Sequence, residues 1–170
     1  MRVIFKMSSS KRLVQIVAWL AVAAWMIFIF CMSNQVAEQS GEISKTTTQI
    51  LFERFFSGFD ELTEEQQTEL VLDAEYAVRK AAHISEYFIL SALVITALLF
   101  NRLNPLKRSI TAVSISIIYA ATDEIHQLFV LGRSGKFTDV LVDSIGIITA
   151  AALYLLITYI IKRRKKRNFG

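Results

Sequence analysis

Four apolar segments separated by polar connections dominate the hydrophobic pattern of the chain. The first, 13–32, contains twenty residues without a charge, and a helix of that length spans a hydrocarbon layer of roughly 30 Å. Three further apolar segments lie at about 81–100, 109–130 and 140–161. The pattern predicts an all-α integral membrane protein, a four-transmembrane-helix bundle forming one domain over 1–170.

Composition excludes several other classes of protein. The hydrophobic share of 54% exceeds the roughly 45–50% of soluble domains, and one proline with six glycines is atypical of a many-turned β protein. The single cysteine, Cys31, cannot form an internal disulfide. The first apolar segment is also longer than the apolar part of a cleaved signal peptide, about 7 to 15 residues, so we expect an uncleaved anchor.

The charged residues indicate an orientation. If the first span leaves the cytoplasm, segments 1–12, 101–108 and 162–170 lie inside and carry thirteen Lys and Arg with no acidic residue. All fifteen Asp and Glu lie on the outer side, in 33–80, 131–139 or the adjoining parts of the spans. Because basic residues are enriched in cytoplasmic loops, we expect a multi-pass protein with cytoplasmic N- and C-termini and an extracytoplasmic 33–80 loop.

The 33–80 loop has ten acidic and four basic residues, so we expect it to stay in water. Thr63 followed by Gln66 matches a capping box that starts a helix, and no Gly or Pro interrupts the chain from there to Asn101. Before it, we expect a short apolar helix ended by Gly58 and Asp60. Both interpretations of the loop, a surface linker and a lid over an outer site, stay open. The residues of the short apolar helix are Ile50, Leu51, Phe52, Phe55, Phe56 and Phe59.

Ionisable residues interrupt the predicted spans near their outer ends. By helix rise, Asp123 and Glu124 lie roughly 9 Å below the outer boundary. A charged group at the centre of a membrane helix costs about 2.5 to 3.5 kcal/mol, so such residues face a bundle interior. Helical spacing groups them into polar stripes on three helices. The stripes are Arg79, His83 and Glu86 with Lys80 beside them, Asp123 and Gln127, and Asp139, Asp143 and Gly146.

The turn from Gly132 to Lys136 is basic and could hold an anion above these carboxylates. Three interpretations of the cluster stay open: structural ion pairing, in which Arg133 pairs with Asp123 or Glu124, a metal site, and a site for an anionic ligand. We expect no metal and no cofactor, since the H-x-x-E spacing at His83 falls short of a zinc motif. The basic 162–167 segment directly follows a span, so we expect a topology signal there and no nucleic-acid partner.

Three sequence stretches resemble the VanZ-like family of bacterial membrane proteins. They are FCMSNQ at 30–35, RKAAHISEYF at 79–88, and DEIHQLFVLGRSG at 123–135 followed by two further aspartates. The binding residues that the resemblance implies are Arg79, Lys80, His83, Glu86, Tyr87, Asp123, Glu124, Gln127, Gly132, Arg133, Asp139 and Asp143.

The resemblance implies a protein of the bacterial plasma membrane and cell envelope, similar to a namesake associated with low-level teicoplanin resistance. We expect an outer-leaflet polar cavity that binds an anionic lipid-linked or glycopeptide ligand, with the lipid bilayer as partner. One alternative is a membrane-embedded hydrolase or transferase acting on a lipid-linked substrate, with Arg133 stabilising developing negative charge. Another is an assembly protein without chemistry, and the oligomeric state stays open. Candidate catalytic residues are His83, Glu86, Asp123 and Glu124.

Overall fold

The computed structural model describes residues 9–169, which form five α-helices and contain no β-strand. Arg2 and Lys6, which entered the orientation argument, lie outside the described residues. The predicted all-α class is confirmed. The helices are α1 (Ser9–Ser33), α2 (Ala37–Phe55), α3 (Glu64–Leu98), α4 (Pro105–Gln127) and α5 (Phe137–Phe169), with one turn of 3₁₀-helix at Phe59–Glu61.

Three of these helices, α1, α3 and α5, are long and apolar enough to cross a membrane. The predicted third span corresponds to α4, which is less apolar because it carries Asp123, Glu124 and several serines. Most of those polar residues face the bundle, since Ser109, Ser116, Asp123 and Glu124 are buried, whereas Ser114 is exposed. The opposite face of α4 exposes Ile110, Ile118 and Ile125.

α1 exposes apolar side chains around most of its circumference. Only Val22, Ile29 and Ser33 of this helix are buried, whereas residues such as Leu13 and Leu20 are each 63% exposed. An all-apolar helix with so little protein cover is typical of a segment in contact with lipid. The length and surface of α1 therefore indicate a membrane protein.

The core of the bundle forms around α3, which packs against all four other helices. Tyr87, Leu90 and Val94 follow one face of α3 and are fully buried. Opposite them, Gly146 of α5 lies so close that an added Cβ atom would be 2.0 Å from the carbonyl oxygen of Ile84. The missing side chain of this glycine lets two helix backbones touch.

α2 and the first half of α3 form a helical hairpin. The capping box of Thr63 and Gln66 is present, and α3 then continues for 35 residues without interruption, about 52 Å at the rise of an α-helix. α2 runs antiparallel to it, since Gly41 faces Glu75 while Gln49 lies near the start of α3. The expectation of a short helix ended by Gly58 and Asp60 was wrong, because α2 begins at Ala37 and ends at Phe55.

The aromatic residues beyond α2 close the hairpin. Phe52 stacks on Phe59 with ring centroids 5.6 Å apart, and Phe56 meets Phe52 edge to face. Gly58 adopts a left-handed conformation with φ of 93°, which a residue with a side chain rarely adopts. Phe59 is consequently buried at the tip of the hairpin.

Arg108 fixes the opposite end of the bundle. Its guanidinium donates hydrogen bonds to the carbonyl oxygens of Leu98 at 3.0 Å and Leu103 at 2.9 Å, and to the hydroxyl of Tyr154 on α5. Carbonyls at a helix C-terminus lack partners within their helix, so Arg108 both caps α3 and ties it to α5. From the sequence, Arg108 was counted only among the basic residues that indicate the membrane orientation. Its structural role was not predicted.

Candidate functional site

Two adjoining cavities lie at the end of the bundle that contains the turn between α4 and α5. The first is lined mainly by α2, α3 and the end of α1, and the second by α3, the end of α4, the turn and the start of α5. The first cavity has a volume of about 120 Å³ and the second about 260 Å³. Ser40, Arg79, His83 and Arg133 line both. The three predicted polar stripes therefore converge on one continuous polar region, which we call the paired cavities.

Asp123 lies against the first cavity and is only 5% exposed. Its Oδ2 accepts hydrogen bonds from Ser33 Oγ at 3.0 Å and from Gln127 Nε2 at 3.3 Å. Its Oδ1 and the hydroxyl of Tyr87 are buried without a hydrogen bond of good geometry, although the two side chains are close enough to interact. Oδ1 of Asp123 is therefore enclosed beside the Tyr87 hydroxyl and is not open to the cavity.

The turn between α4 and α5 folds back onto α4. The backbone N–H of Lys136 donates to Glu124 Oε2 at 2.9 Å. An added Cβ atom on Gly135 would lie 2.1 Å from the carbonyl oxygen of Glu124, and Gly132 has a φ of 75°. The two glycines therefore permit a tight turn that holds Arg133 over the paired cavities.

Four Lys and Arg residues line the paired cavities: Arg79, Lys80, Arg133 and the exposed Lys136. They differ in how they are paired. Arg79 forms an ion pair with Glu75 and donates to Ser44 Oγ at 3.2 Å. Lys80 Nζ lies 2.6 Å from Asp139 Oδ1. Both cations therefore already have a carboxylate partner.

The hydrogen-bond partners of Arg133 within the described part of the chain are all neutral. Its Nε donates to the carbonyl oxygen of Gln35 at 3.0 Å and its Nη2 to that of Met32 at 3.5 Å. The ion pair with Asp123 or Glu124, which the sequence left open as one interpretation, is not formed, because the guanidinium turns toward the chain after α1; both carboxyl groups act on it only from a distance. Burial lowers the pKa of Arg133 from its usual value, but arginine stays protonated in proteins.

His83 and Glu86 lie one turn apart on α3, with Nδ1 of the imidazole 3.7 Å from Oε2 of the carboxylate. The backbone carbonyl of Glu86 accepts a hydrogen bond of 2.9 Å from Trp25 Nε1 on α1. His126 is separate from this pair, since its ring packs on Phe30 with centroids 4.5 Å apart. Of the two histidines, only His83 lines the paired cavities.

Asp139 and Asp143 face the second cavity from α5. Asp139 pairs with Lys80. Asp143 is 2% exposed, and no hydrogen bond or ion pair joins its side chain to any residue that the structure describes. The close contact of Gly146 with α3, one turn away, fixes its position.

The structure brings together almost all of the residues that the sequence singled out. Of the twelve binding residues that the resemblance implies, all but Tyr87 line one of the paired cavities, and Tyr87 lies in the core beside Asp123. Gly146 of the third stripe packs against α3 instead. Within residues 9–169, no group of three or more His, Cys, Asp and Glu side chains is arranged to hold a metal ion.

Sequence reasoning missed the part of the site contributed by α1 and α2. Ser33 lies in the FCMSNQ stretch, so a signal was present, but its bond to Asp123 could not be inferred from helical spacing within one element. Ser40 and Ser44 recur at a spacing of four residues on α2, and both line the first cavity. That spacing was the signal for a helix face covering the site.

Comparison with known families gives one match. The family model described as VanZ/LLP1 matches residues 18–158, which runs from α1 to α5 and includes every residue of the paired cavities. The chain belongs to the VanZ/LLP1 family. The VanZ-like resemblance drawn from the three sequence stretches is therefore confirmed. Neither the search of curated proteins nor that of solved structures gives a match to this VanZ/LLP1 chain.

Proposed function

We propose that this VanZ/LLP1 protein binds an anionic lipid-linked or glycopeptide ligand of the cell envelope in its paired cavities. The observation that carries the proposal is Arg133, a half-buried cation in the wall of both cavities whose hydrogen-bond partners among the described residues are all backbone carbonyls. A partly desolvated guanidinium without a carboxylate partner is well suited to a phosphate or carboxylate group.

The surrounding residues support a ligand that also carries hydroxyl or amide groups. Glu86, Glu124 and Gln127 line the cavities and offer hydrogen-bond acceptors, and Gln127 also offers donors. Tyr76 adds an aromatic surface at the rim of the second cavity. A few placed polar groups in a concave site are typical of a site that orients its ligand.

We further propose that the chain crosses the bacterial plasma membrane four times, with both termini in the cytoplasm and the α2–α3 hairpin outside. The isoleucine face of α4 supports this, because Ile110, Ile118 and Ile125 are exposed while the polar face is buried. In this orientation the paired cavities lie in the outer leaflet and α2 covers the first of them. We accordingly favour the lid interpretation of the 33–80 loop.

Ligand titration tests the binding proposal. Full-length protein in detergent is titrated with phosphatidylglycerol, an anionic probe, and binding is followed by native mass spectrometry. Arg133→Gln is expected to weaken binding about tenfold or more. Lys107→Gln, which removes an exposed charge from the far end of the bundle, serves as the control. Unchanged affinity in Arg133→Gln contradicts the proposal.

The second candidate function is hydrolysis or group transfer on a lipid-linked substrate. The observation that favours it is the His83–Glu86 pair at 3.7 Å. An imidazole can act as a general base, and a carboxylate at this distance orients it once the pair tightens into a hydrogen bond around a substrate. Purified protein incubated with labelled lipid-linked saccharide phosphates should then release a product, and His83→Gln should abolish release. Binding without turnover excludes this candidate for those substrates.

A further inference from the structure

Asp143 is the buried ionisable residue that the proposed anion site does not use. It is 2% exposed, it lines the second cavity, and its carboxylate has no hydrogen bond or ion pair with any residue in the described range. Burying an acceptor of this kind without a donor is costly. The cavity that Asp143 faces is the place from which a donor can reach it.

Asp123 is also buried, but its oxygens are occupied within the protein. Its Oδ1 is enclosed beside the hydroxyl of Tyr87, and its Oδ2 accepts hydrogen bonds from Ser33 and Gln127. Asp143 is therefore the carboxyl group that points to a ligand bringing hydrogen-bond donors into the site.

The pairing of the cavity residues sharpens the ligand chemistry. Lys80 and Arg79 are neutralised by their own carboxylate partners. After these pairs, the second cavity still presents the cation Arg133 and the carboxyl groups of Glu124 and Asp143, with the exposed Lys136 at its edge, in a single space of about 260 Å³. Glu124 already accepts from the backbone N–H of Lys136, so Asp143 is the carboxyl group there that has no hydrogen bond among the described residues. Opposite charges on one cavity wall are complementary to a molecule that carries both charges.

We infer that the ligand of this site is zwitterionic, with a phosphate or carboxylate for Arg133 and a primary ammonium group for Asp143. The inference rests on the proposed anion binding and adds the second charge to it. An ammonium group supplies three N–H donors, which suits carboxylate oxygens that lack donors. The chemistry is that of a phosphoethanolamine or amino-sugar phosphate, present in a lipid headgroup or in a free metabolite.

Three lipids with the same acyl chains test the inference on the full-length protein. Phosphatidylethanolamine carries both charges, its N-acetylated form lacks the ammonium charge, and phosphatidylglycerol lacks the amine altogether. Titrations followed by native mass spectrometry are expected to give about tenfold tighter binding of phosphatidylethanolamine than of the other two. Equal affinity for all three lipids overturns the inference. This comparison uses the wild-type protein alone.

Asp143→Asn then identifies the residue that selects the amine. The preference for phosphatidylethanolamine should disappear in this variant, while binding of phosphatidylglycerol is retained. Asp73→Asn, an equal charge change at an exposed position of the hairpin, should keep the preference. A preference that persists in Asp143→Asn assigns the amine to another residue and overturns the role of Asp143.

The same titrations separate this inference from the proposed function. If phosphatidylglycerol binds through Arg133 but the amine adds nothing, the anion site stands and the zwitterionic ligand is wrong. If Arg133→Gln binds every lipid as the wild type does, the anion site itself is wrong. A competition experiment with soluble glycerophosphoethanolamine distinguishes the two sources of the ligand. If it displaces the lipid, the site takes a free phosphoamine. If it does not, the site takes a lipid headgroup.

Discussion

A Cβ atom placed on Gly146 would lie 2.0 Å from the carbonyl oxygen of Ile84 and 2.9 Å from the backbone nitrogen of Phe88. Helices α5 and α3 therefore touch backbone to backbone at this point. Ile84 follows His83 directly, and Gly146 lies one turn from Asp143. The contact thus fixes the distance between the α3 and α5 sides of the paired cavities.

Gly146→Ala is expected to lower stability by about 1 to 3 kcal/mol, because the added methyl group forces the two helices apart. Gly41→Ala is the matched control. An alanine Cβ at Gly41 would have neighbours no closer than 3.9 Å, and replacing a helical glycine stabilises by about 0.5 to 1 kcal/mol. Thermal unfolding in detergent measures both, and equal melting temperatures for the two variants contradict the contact.

The elements that the sequence predicted are those set by local rules. The capping box at Thr63 and the absence of Gly and Pro before Asn101 are local features of the chain, and α3 ends at Leu98, close to the expected end of the span at 100. The stripe of Asp139, Asp143 and Gly146 depends only on helical spacing. Such features need no knowledge of what packs against them.

The remaining features depend on which helices meet. Nothing near Arg133 in the chain indicates that its guanidinium reaches the carbonyl oxygens of Met32 and Gln35, nearly one hundred residues away. Likewise, α2 begins at Ala37 with a polar face. The apolar residues alone therefore predicted a helix that was too short. Contacts between distant segments are decided by packing, which hydrophobic pattern and spacing do not record.

Arg108→Gln should destabilise the protein strongly without touching the site. The variant leaves carbonyl oxygens of Leu98 and Leu103 without their buried donor, and one hydrogen bond to a charged group contributes about 1.5 to 3 kcal/mol. Lys107→Gln removes the same charge from an exposed neighbouring position and should have little effect. Thermal unfolding and the amount of protein in the membrane fraction measure the difference. Equal stability of the two variants would show that Arg108 is not a structural cap.

Cysteine labelling tests the proposed orientation. In a Cys31→Ala background, Gln49→Cys in the hairpin and Ser134→Cys in the turn should react with a membrane-impermeant maleimide added to intact cells. Lys166→Cys should react only after permeabilisation. Ser134 is exposed and is preferable to Gly135, where a side chain would collide with Glu124. Labelling of Lys166→Cys from outside, or protection of Ser134→Cys in intact cells, contradicts the proposed orientation.

Arg133→Ala and His83→Ala are expected to abolish any teicoplanin tolerance that the protein confers, because both residues line the two cavities. Tolerance is measured as the minimum inhibitory concentration in a sensitive host, with membrane protein quantified in the same cells. Asp73→Asn, an exposed change outside the cavities, should keep wild-type tolerance. Loss of tolerance with loss of protein would instead favour an assembly role, in which the cluster serves stability. Wild-type tolerance in both alanine variants at normal protein level would exclude the paired cavities as the site of that phenotype.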